Sequence, residues 1–387
     1  MTRVVVVVGD RPGQVDLSLL KVLLRRASTR AGTDVDVVDV VSVVDVVTVG
    51  EAMAGAWVTA GAGADGIVVD AERVRGSPIG DVSVPVVLVD LKSAVPEPMP
   101  QGRTIHGRGI ETYVWATRHL MAWLRWPPTV IRYGAHPDQF GELRVPTGAG
   151  PHPVVVLIHG GFWRSHWELD LMDDLAIDLA GAGLAAWNIE YRRGPGSWEG
   201  ALADVSTAID HVLELAAEHG LDAQRTALIG HSAGGHLALW AAARGRHGRP
   251  AGARGGILEA ALAVPLAPVS DLVECAARGL GEGAAVLFFG ASPEAEPDRY
   301  AWADPMQRLP IGIPTTVVQG LADSADLIDL NRRFAARATS HGDHLELLEL
   351  DGTDHFDVIN AGSVAWGRVR SLLVDRLIGD RERHGRS

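Results

Sequence analysis

The chain has 387 residues, 47% of them hydrophobic and 21% charged, with 48 acidic against 35 basic side chains and a formal net charge of −13. Its length predicts two domains, and its acidity excludes the electrostatic footprint of a nucleic-acid or anionic-membrane partner. Cys275 is the one cysteine, which excludes an intrachain disulfide and fits a reducing compartment.

The chain opens with five valines at 4–8. They are too few for a signal-peptide core, no small-residue cleavage site follows, and no run approaches a membrane span. A cytoplasmic protein is expected. The valines suit a strand buried on both faces of a parallel sheet. Leu17, Leu20, Leu23 and Leu24 recur at helical spacing. The Val/Asp tract at 34–49 is expected to be a strand in its first half and a loop in its second. Residues 51–60 read as a helix, 66–69 and 85–89 as strands, and 110–126 as an amphipathic helix with Trp115, Trp123 and Trp126. Alternating strands and helices imply a small doubly wound α/β domain.

Three framework stretches carry a resemblance: Gly63-Ala64-Asp65-Gly66-Ile67-Val68-Val69, Val84-Pro85-Val86-Val87-Leu88-Val89, and Gly107-Arg108-Gly109-Ile110-Glu111-Thr112-Tyr113. Over roughly residues 3–124 the chain resembles a type II dehydroquinase. That resemblance implies a flavodoxin-like parallel sheet and a homo-oligomer built through this domain. The family's catalytic pattern is missing. Its mobile Arg/Tyr loop is here Gly9-Asp10-Arg11-Pro12-Gly13 without tyrosine, and its strand-end asparagine falls at Asp70. Its His-x-Ser falls at Asp90-Leu91-Lys92 and its later histidine near Gly102 or Arg103. His106 reads as a solvent-exposed loop residue. The domain is expected to be catalytically silent.

Trp126-Pro127-Pro128 breaks the helix, because proline cannot continue it, and divides domain 1–126 from domain 127–387. Residues 130–133 and 140–145 read as an antiparallel edge pair. Strands are then expected at 154–158, 184–189, 226–229, 262–266, 315–318 and 345–350, and helices at 169–180, 200–219 and 364–377. The basic stretch 244–254 reads as a solvated loop, 271–309 as a small lid, and the polar tail as disordered.

Two motifs carry chemistry. Gly230-His231-Ser232-Ala233-Gly234 links a buried strand to an Ala/Leu-rich helix, the strand–turn–helix context of a nucleophile elbow. His159-Gly160-Gly161-Phe162-Trp163 follows another buried strand, and its glycines let backbone N–H groups face a ligand. Together they resemble the α/β-hydrolase superfamily. The resemblance implies oxyanion donors at Gly161, Phe162 and Ala233, and a serine–acid–histidine order along the chain. Val318-Gln319-Gly320-Leu321-Ala322-Asp323 resembles the His-Gly-x-x-Asp turn, with Gln319 in place of histidine. Asp323 then matches the acid, with Asp326 as the alternative; either carboxylate also suits a helix N-terminus. Gly352-Thr353-Asp354-His355-Phe356 resembles the loop of the catalytic histidine. Serine needs such a base, and the base an orienting group, to become a nucleophile.

The His-Gly-Gly-Phe-Trp loop is closer to the kynurenine formamidase/esterase branch than to the hormone-sensitive-lipase branch. Tyr133-Gly134 with Gln139, and Glu190-Tyr191-Arg192, look like the same branch. Over residues 130–377 the resemblance implies a small acyl, formyl or aryl ester or amide substrate. Trp163, Trp198 and Trp302, with Trp167, are candidate pocket walls. No paired ligand spacing suggests a metal, and no cofactor is implied. The remaining readings are a non-catalytic assembly or binding protein and residual dehydratase chemistry.

Overall fold

The computed structural model describes residues 3–9, 43–49, 66–70, 86–91, 102–248, 250 and 256–379. Two compact units divide at Pro127/Pro128.

The first unit carries five parallel strands: β1 (Arg3–Gly9), β2 (Val43–Val49), β3 (Gly66–Asp70), β4 (Val86–Asp90) and β5 (Gly102–His106). Their order is β2-β1-β3-β4-β5, the doubly wound order of flavodoxin-like sheets. Val87 and Val89 of β4 and Ile105 of β5 pack with Tyr113, Ala116 and Leu120 of α1 (Glu111–Arg125). The helix ends where Trp126 leaves the helical region, at φ −151° and ψ 87°, as a residue before proline is biased to do.

Two expectations are corrected here, and one unexpected strand is added. In the Val/Asp tract the second half is strand: six of the seven residues in β2 are β-branched and stiff at χ1. Strand β5, with one large aliphatic residue, gave no strong pattern. His106 ends this strand opposite Asp90 and is buried, not exposed in a loop. The helices expected near Leu17–Leu24 and at 51–60, the first half of the Val/Asp tract at 34–42, the loop residues 10–13, and the tail beyond 379 lie outside the described residues.

The second unit is built on eight strands: β6 (Thr129–Arg132), β7 (Phe140–Arg144), β8 (His152–Ile158), β9 (Ala185–Ile189), β10 (Leu221–His231), β11 (Leu262–Leu266), β12 (Thr315–Gly320) and β13 (Leu345–Leu350). The order is β13-β12-β11-β10-β8-β9-β7-β6. Strands β8 to β13 are parallel, and β7 and β6 close one edge in antiparallel fashion. The direction of winding reverses around β8, so the loops after β8 and β10 meet at the topological switch point, where open α/β sheets bind ligands.

The connecting helices are α2 (Asp173–Gly181), α3 (Trp198–Asp210), α4 (Val212–His219), α5 (Ala233–Ala242), α6 (Leu272–Ala277), α7 (Leu280–Phe289), α8 (Pro297–Ala303), α9 (Ala325–Ser340) and α10 (Val364–Val374). The helix expected over 200–219 is two, divided at His211. The 271–309 segment holds α6 to α8, and α7 begins with a left-handed turn through Gly281, Glu282 and Gly283. Phe288 and Phe289 are core residues there.

The basic stretch at 244 is also corrected. It starts with a helical turn, Arg244–His247, whose Arg244 is buried 2.7 Å from Asp210. Its guanidinium also donates to the Ser206 and Leu258 carbonyls. A charge that fully satisfied is held inside, while a charge count along the sequence reads as surface. Residues 249 and 251–255 lie outside the described residues.

Candidate active site

Ser232 sits between β10 and α5 at φ 54°, ψ −116°, a conformation costing about 1–3 kcal/mol for a non-glycine residue. The surroundings over-determine it. Its N–H donates to the Leu266 carbonyl at 2.9 Å, and its own carbonyl accepts from His236 and Val269, each at 3.1 Å. The flanking glycines are obligatory: a Cβ at Gly230 would lie 2.0 Å from the Gly234 carbonyl oxygen, and one at Gly234 2.1 Å from that of Ile158.

The loop after β8 abuts this elbow. A Cβ on Gly160 would fall 3.1 Å from the Ser232 Cβ. Gly161, Phe162 and Trp163 then take positive φ values of 105°, 51° and 55° in succession, which curls the backbone. Trp167 lies so close to Gly161 that a Cβ there would meet it at 2.2 Å.

The base of the loop is fixed by a buried network. The His159 ring stacks on Tyr191 at 4.5 Å, its Nε2 lies 2.8 Å from Glu190 Oε1, and the Tyr191 hydroxyl donates to the His159 carbonyl at 2.8 Å. Glu190 also accepts from Arg193 at 2.6 Å and from the Leu169 N–H at 3.1 Å. Tyr133 donates to the Glu190 carbonyl. Gln139 and Arg192 both donate to Asp204, at 2.6 Å and, for Arg192, at 2.7 and 2.6 Å. Burial first, then the Glu190 charge, pushes the Tyr191 phenol well up, so it remains a donor. Of the side chains named from sequence, Glu190 and Tyr191 thus hold the base of the loop, Tyr133 bonds the Glu190 carbonyl, and Gln139 and Arg192 meet separately at Asp204.

The turn after β12 brings up Asp323, and the loop after β13 brings up His355. Their side chains meet with Nδ1 2.7 Å from Oδ2. A carboxylate only accepts, so Nδ1 carries the proton and Nε2 is left as the basic nitrogen. Burial alone raises the Asp323 pKa, but the hydrogen bond from His355, followed by those from the Ser324 N–H and Gln319, outweighs it and holds the carboxyl below its ordinary value. Asp326 is committed elsewhere: it pairs with Arg278 at 3.0 Å. Neither aspartate caps α9; Ser324 does, accepting from the Leu327 N–H.

The tryptophans do not form one wall. Trp163 is 1% exposed, stacks on Phe288 at 4.8 Å and meets His236 edge-on at 5.4 Å. Trp198 lies 5.7 Å from Phe289. Trp302 packs against the Arg308 guanidinium at 4.8 Å, and its carbonyl accepts from Trp240. Sequence reasoning missed His231, which fills the variable position of Gly-x-Ser-x-Gly. It also passed over Asn331 and Ser270, which lie 12 and 61 residues from their partners Gln319 and Asn331.

A family model described as BD-FAE matches residues 143–332, just under half of the chain. The chain is 34% identical over 110 residues to a probable isoprenylcysteine alpha-carbonyl methylesterase, ICMEL1, of Arabidopsis thaliana, covering 28% of this chain and 23% of that protein. It is 35% identical over 94 residues to the probable carboxylic ester hydrolase LipM of Mycobacterium tuberculosis, covering 24% and 22%. The matched stretch therefore spans about a quarter of these relatives' length. Among solved structures, a thermophilic esterase from Thermogutta terrifontis superposes with a TM-score of 0.52 at 24% identity, covering 65% of this chain and 92% of its own. Among the described residues, no helix is long and apolar enough to cross a membrane. The parallel sheet, the strained serine after its central strand and these likenesses lead to one structural conclusion: the second unit has the α/β-hydrolase fold of esterases.

Proposed function

We propose that the second unit hydrolyses small carboxylic esters through Ser232, His355 and Asp323. The observation that carries this reading is the 2.7 Å contact from His355 Nδ1 to Asp323 Oδ2, which leaves Nε2 as a base at the end of the sheet where Ser232 is held in its strained turn. Nε2 takes the serine proton as Oγ attacks the ester carbonyl, and Asp323 stabilises the imidazolium that forms. The oxyanion is received by the backbone N–H groups of Gly161, Phe162 and Ala233. The curled backbone after β8 and the unsatisfied first turn of α5 support that assignment. Loss of one such donor typically costs about 10²–10³ in rate. His355 then returns the proton to the leaving alcohol, and water releases the acyl group.

Small acyl and aryl esters are the proposed substrates, with formamides as the finer alternative suggested by the His-Gly-Gly-Phe-Trp loop. The first unit is proposed to be a catalytically silent, dehydroquinase-like assembly module in a cytoplasmic protein. Fluorophosphonate labelling of the wild type beside Ser232→Ala tests the chemistry, with turnover of p-nitrophenyl acetate and N-formylkynurenine separating ester from formamide preference. Labelling and turnover lost together in Ser232→Ala support the hydrolase. A wild type that does neither sinks it in favour of a binding protein.

A further inference from the structure

Behind Asp323 lies a chain of buried polar side chains. Gln319 Nε2 donates to Asp323 Oδ2 at 3.2 Å and to the Gly320 carbonyl at 2.9 Å. Asn331 Nδ2 donates to Gln319 Oε1 at 2.6 Å, and Ser270 Oγ donates to Asn331 Oδ1 at 2.6 Å. Gln319, Asn331 and Ser270 are each fully buried. They come from three separate elements: the end of β12, the middle of α9 and the loop after β11.

The direction of the chain is forced by its end. The Asp323 carboxylate and the Gly320 carbonyl can only accept, so Gln319 must present its NH₂ to them. Its oxygen must then accept from the Asn331 NH₂, and the Asn331 oxygen from the Ser270 hydroxyl. Each donor points towards Asp323, so both amide dipoles are aligned to favour a negative charge there, and in a dry interior such a chain acts beyond its individual bonds.

We propose that Ser270, Asn331 and Gln319 form a one-way hydrogen-bond relay that orients the Asp323 carboxylate towards His355, making them positioning residues of the reaction. This rests on the hydrolase reading above. The relay also accounts for Gln319 at a position where the resembling turn carries histidine. An amide has a fixed donor end and a fixed acceptor end, so it transmits the orientation set at Ser270 without titrating.

Asn331→Asp tests it with almost no change of shape. An aspartate accepts from Ser270 and from Gln319 Nε2, which turns the Gln319 amide round and points its oxygen at Asp323. The expected result is an upward shift in the titration midpoint of the Asp323 carboxyl, followed by ¹³C NMR, with kcat falling on the order of 10–100-fold while KM holds. In a Gln319→Met background, Asn331→Leu is expected to cost no further activity, because a relay already cut cannot be cut again. An unchanged Asp323 midpoint in Asn331→Asp, or penalties that simply add, overturns the relay. Should Asn331→Asp fail to fold, the midpoint in Gln319→Met decides: raised supports the relay, unchanged overturns it. Fluorophosphonate labelling of the same wild-type sample reports separately on the hydrolase reading, since the carboxyl titration needs no turnover.

Discussion

His231, the residue before the strained serine, donates from Nε2 to the carbonyl oxygen of His355 at 2.9 Å, and their rings lie 4.7 Å apart. The elbow therefore grips the backbone of the loop that carries the proposed base. Burial first, then the neighbouring His355, lowers the His231 pKa to about 3, so the ring stays neutral in the folded protein while it protonates near pH 6.5 when unfolded. Between these values the unfolded state binds the extra proton, so stability falls as pH drops from about 6.5 towards 3. His231→Gln keeps a donor and removes the titration. Its unfolding free energy is expected to lose up to about 1.4 kcal/mol per pH unit of acid sensitivity in that window, measured by urea melts from pH 4 to 7. An unchanged slope refutes the assignment.

Asp323 and Asp326 are three residues apart but have different partners. Asp323→Asn is expected to lower kcat by about 10⁴-fold, because the amide favours the wrong imidazole tautomer. Asp326→Asn weakens a half-exposed pair with Arg278 and is expected to leave kcat within about twofold, as surface pairs contribute little. Equal losses in the two variants would contradict the assignment of the acid.

Asp304 is buried beside Asp271, and burial first, then that like charge, raises its pKa to about 7. The folded state thus keeps a proton that the unfolded state has lost above about pH 4, so stability is full below pH 4 and declines as pH rises towards 7. The Oδ1 atom accepts from the Leu272 and Met306 N–H groups, which asparagine also satisfies. Asp304→Asn is therefore expected to flatten this decline and to melt higher than the wild type at pH 8. A lower melting temperature at pH 8 would overturn it.

Arg244→Met should destabilise the second unit strongly. It removes the 2.7 Å cationic partner of Asp210 and leaves that buried carboxylate without its ion pair, although the Leu258 N–H still donates to it, a loss of about 3–5 kcal/mol. Pairing it with Asp210→Leu is expected to recover part of that loss. Denaturant midpoints of the single and double variants measure both effects.

The central strands of the second sheet were legible because Val154 to Ile158 and Leu262 to Leu266 are continuous apolar runs, which a strand covered on both faces needs. Strands β2 and β5 were not, since one carries Asp45 and the other is mostly polar. Their pairing energy comes from neighbours that a local window does not see. The Ser232 turn carried a local signature because close approach dictates its small neighbours, Gly230 and Gly234, and Gly320 before the proposed acid is similarly crowded by the Thr353 carbonyl. The network around them was not legible. Asn331 on the middle of a helix and Ser270 in a loop carry no local signature, and only the packing of α9 against β12 gives them partners. Arg244 failed for the opposite reason, because its local composition imitated surface.

Among the described residues, strand β13 is the outermost of the second sheet, paired on one side only, with β12, and of its residues Leu350 alone is buried. The loop carrying His355 hangs directly from its end. Edge strands open at lower free energy than central ones, in local excursions that leave the core intact. Amide exchange in β13 should therefore be faster than in β8 or β10, and each fraying event loads the His231 contact that holds the loop of the proposed base to the elbow. If the proposed chemistry holds, activity is expected to fall on warming before the second unit unfolds and to return on cooling without a refolding step.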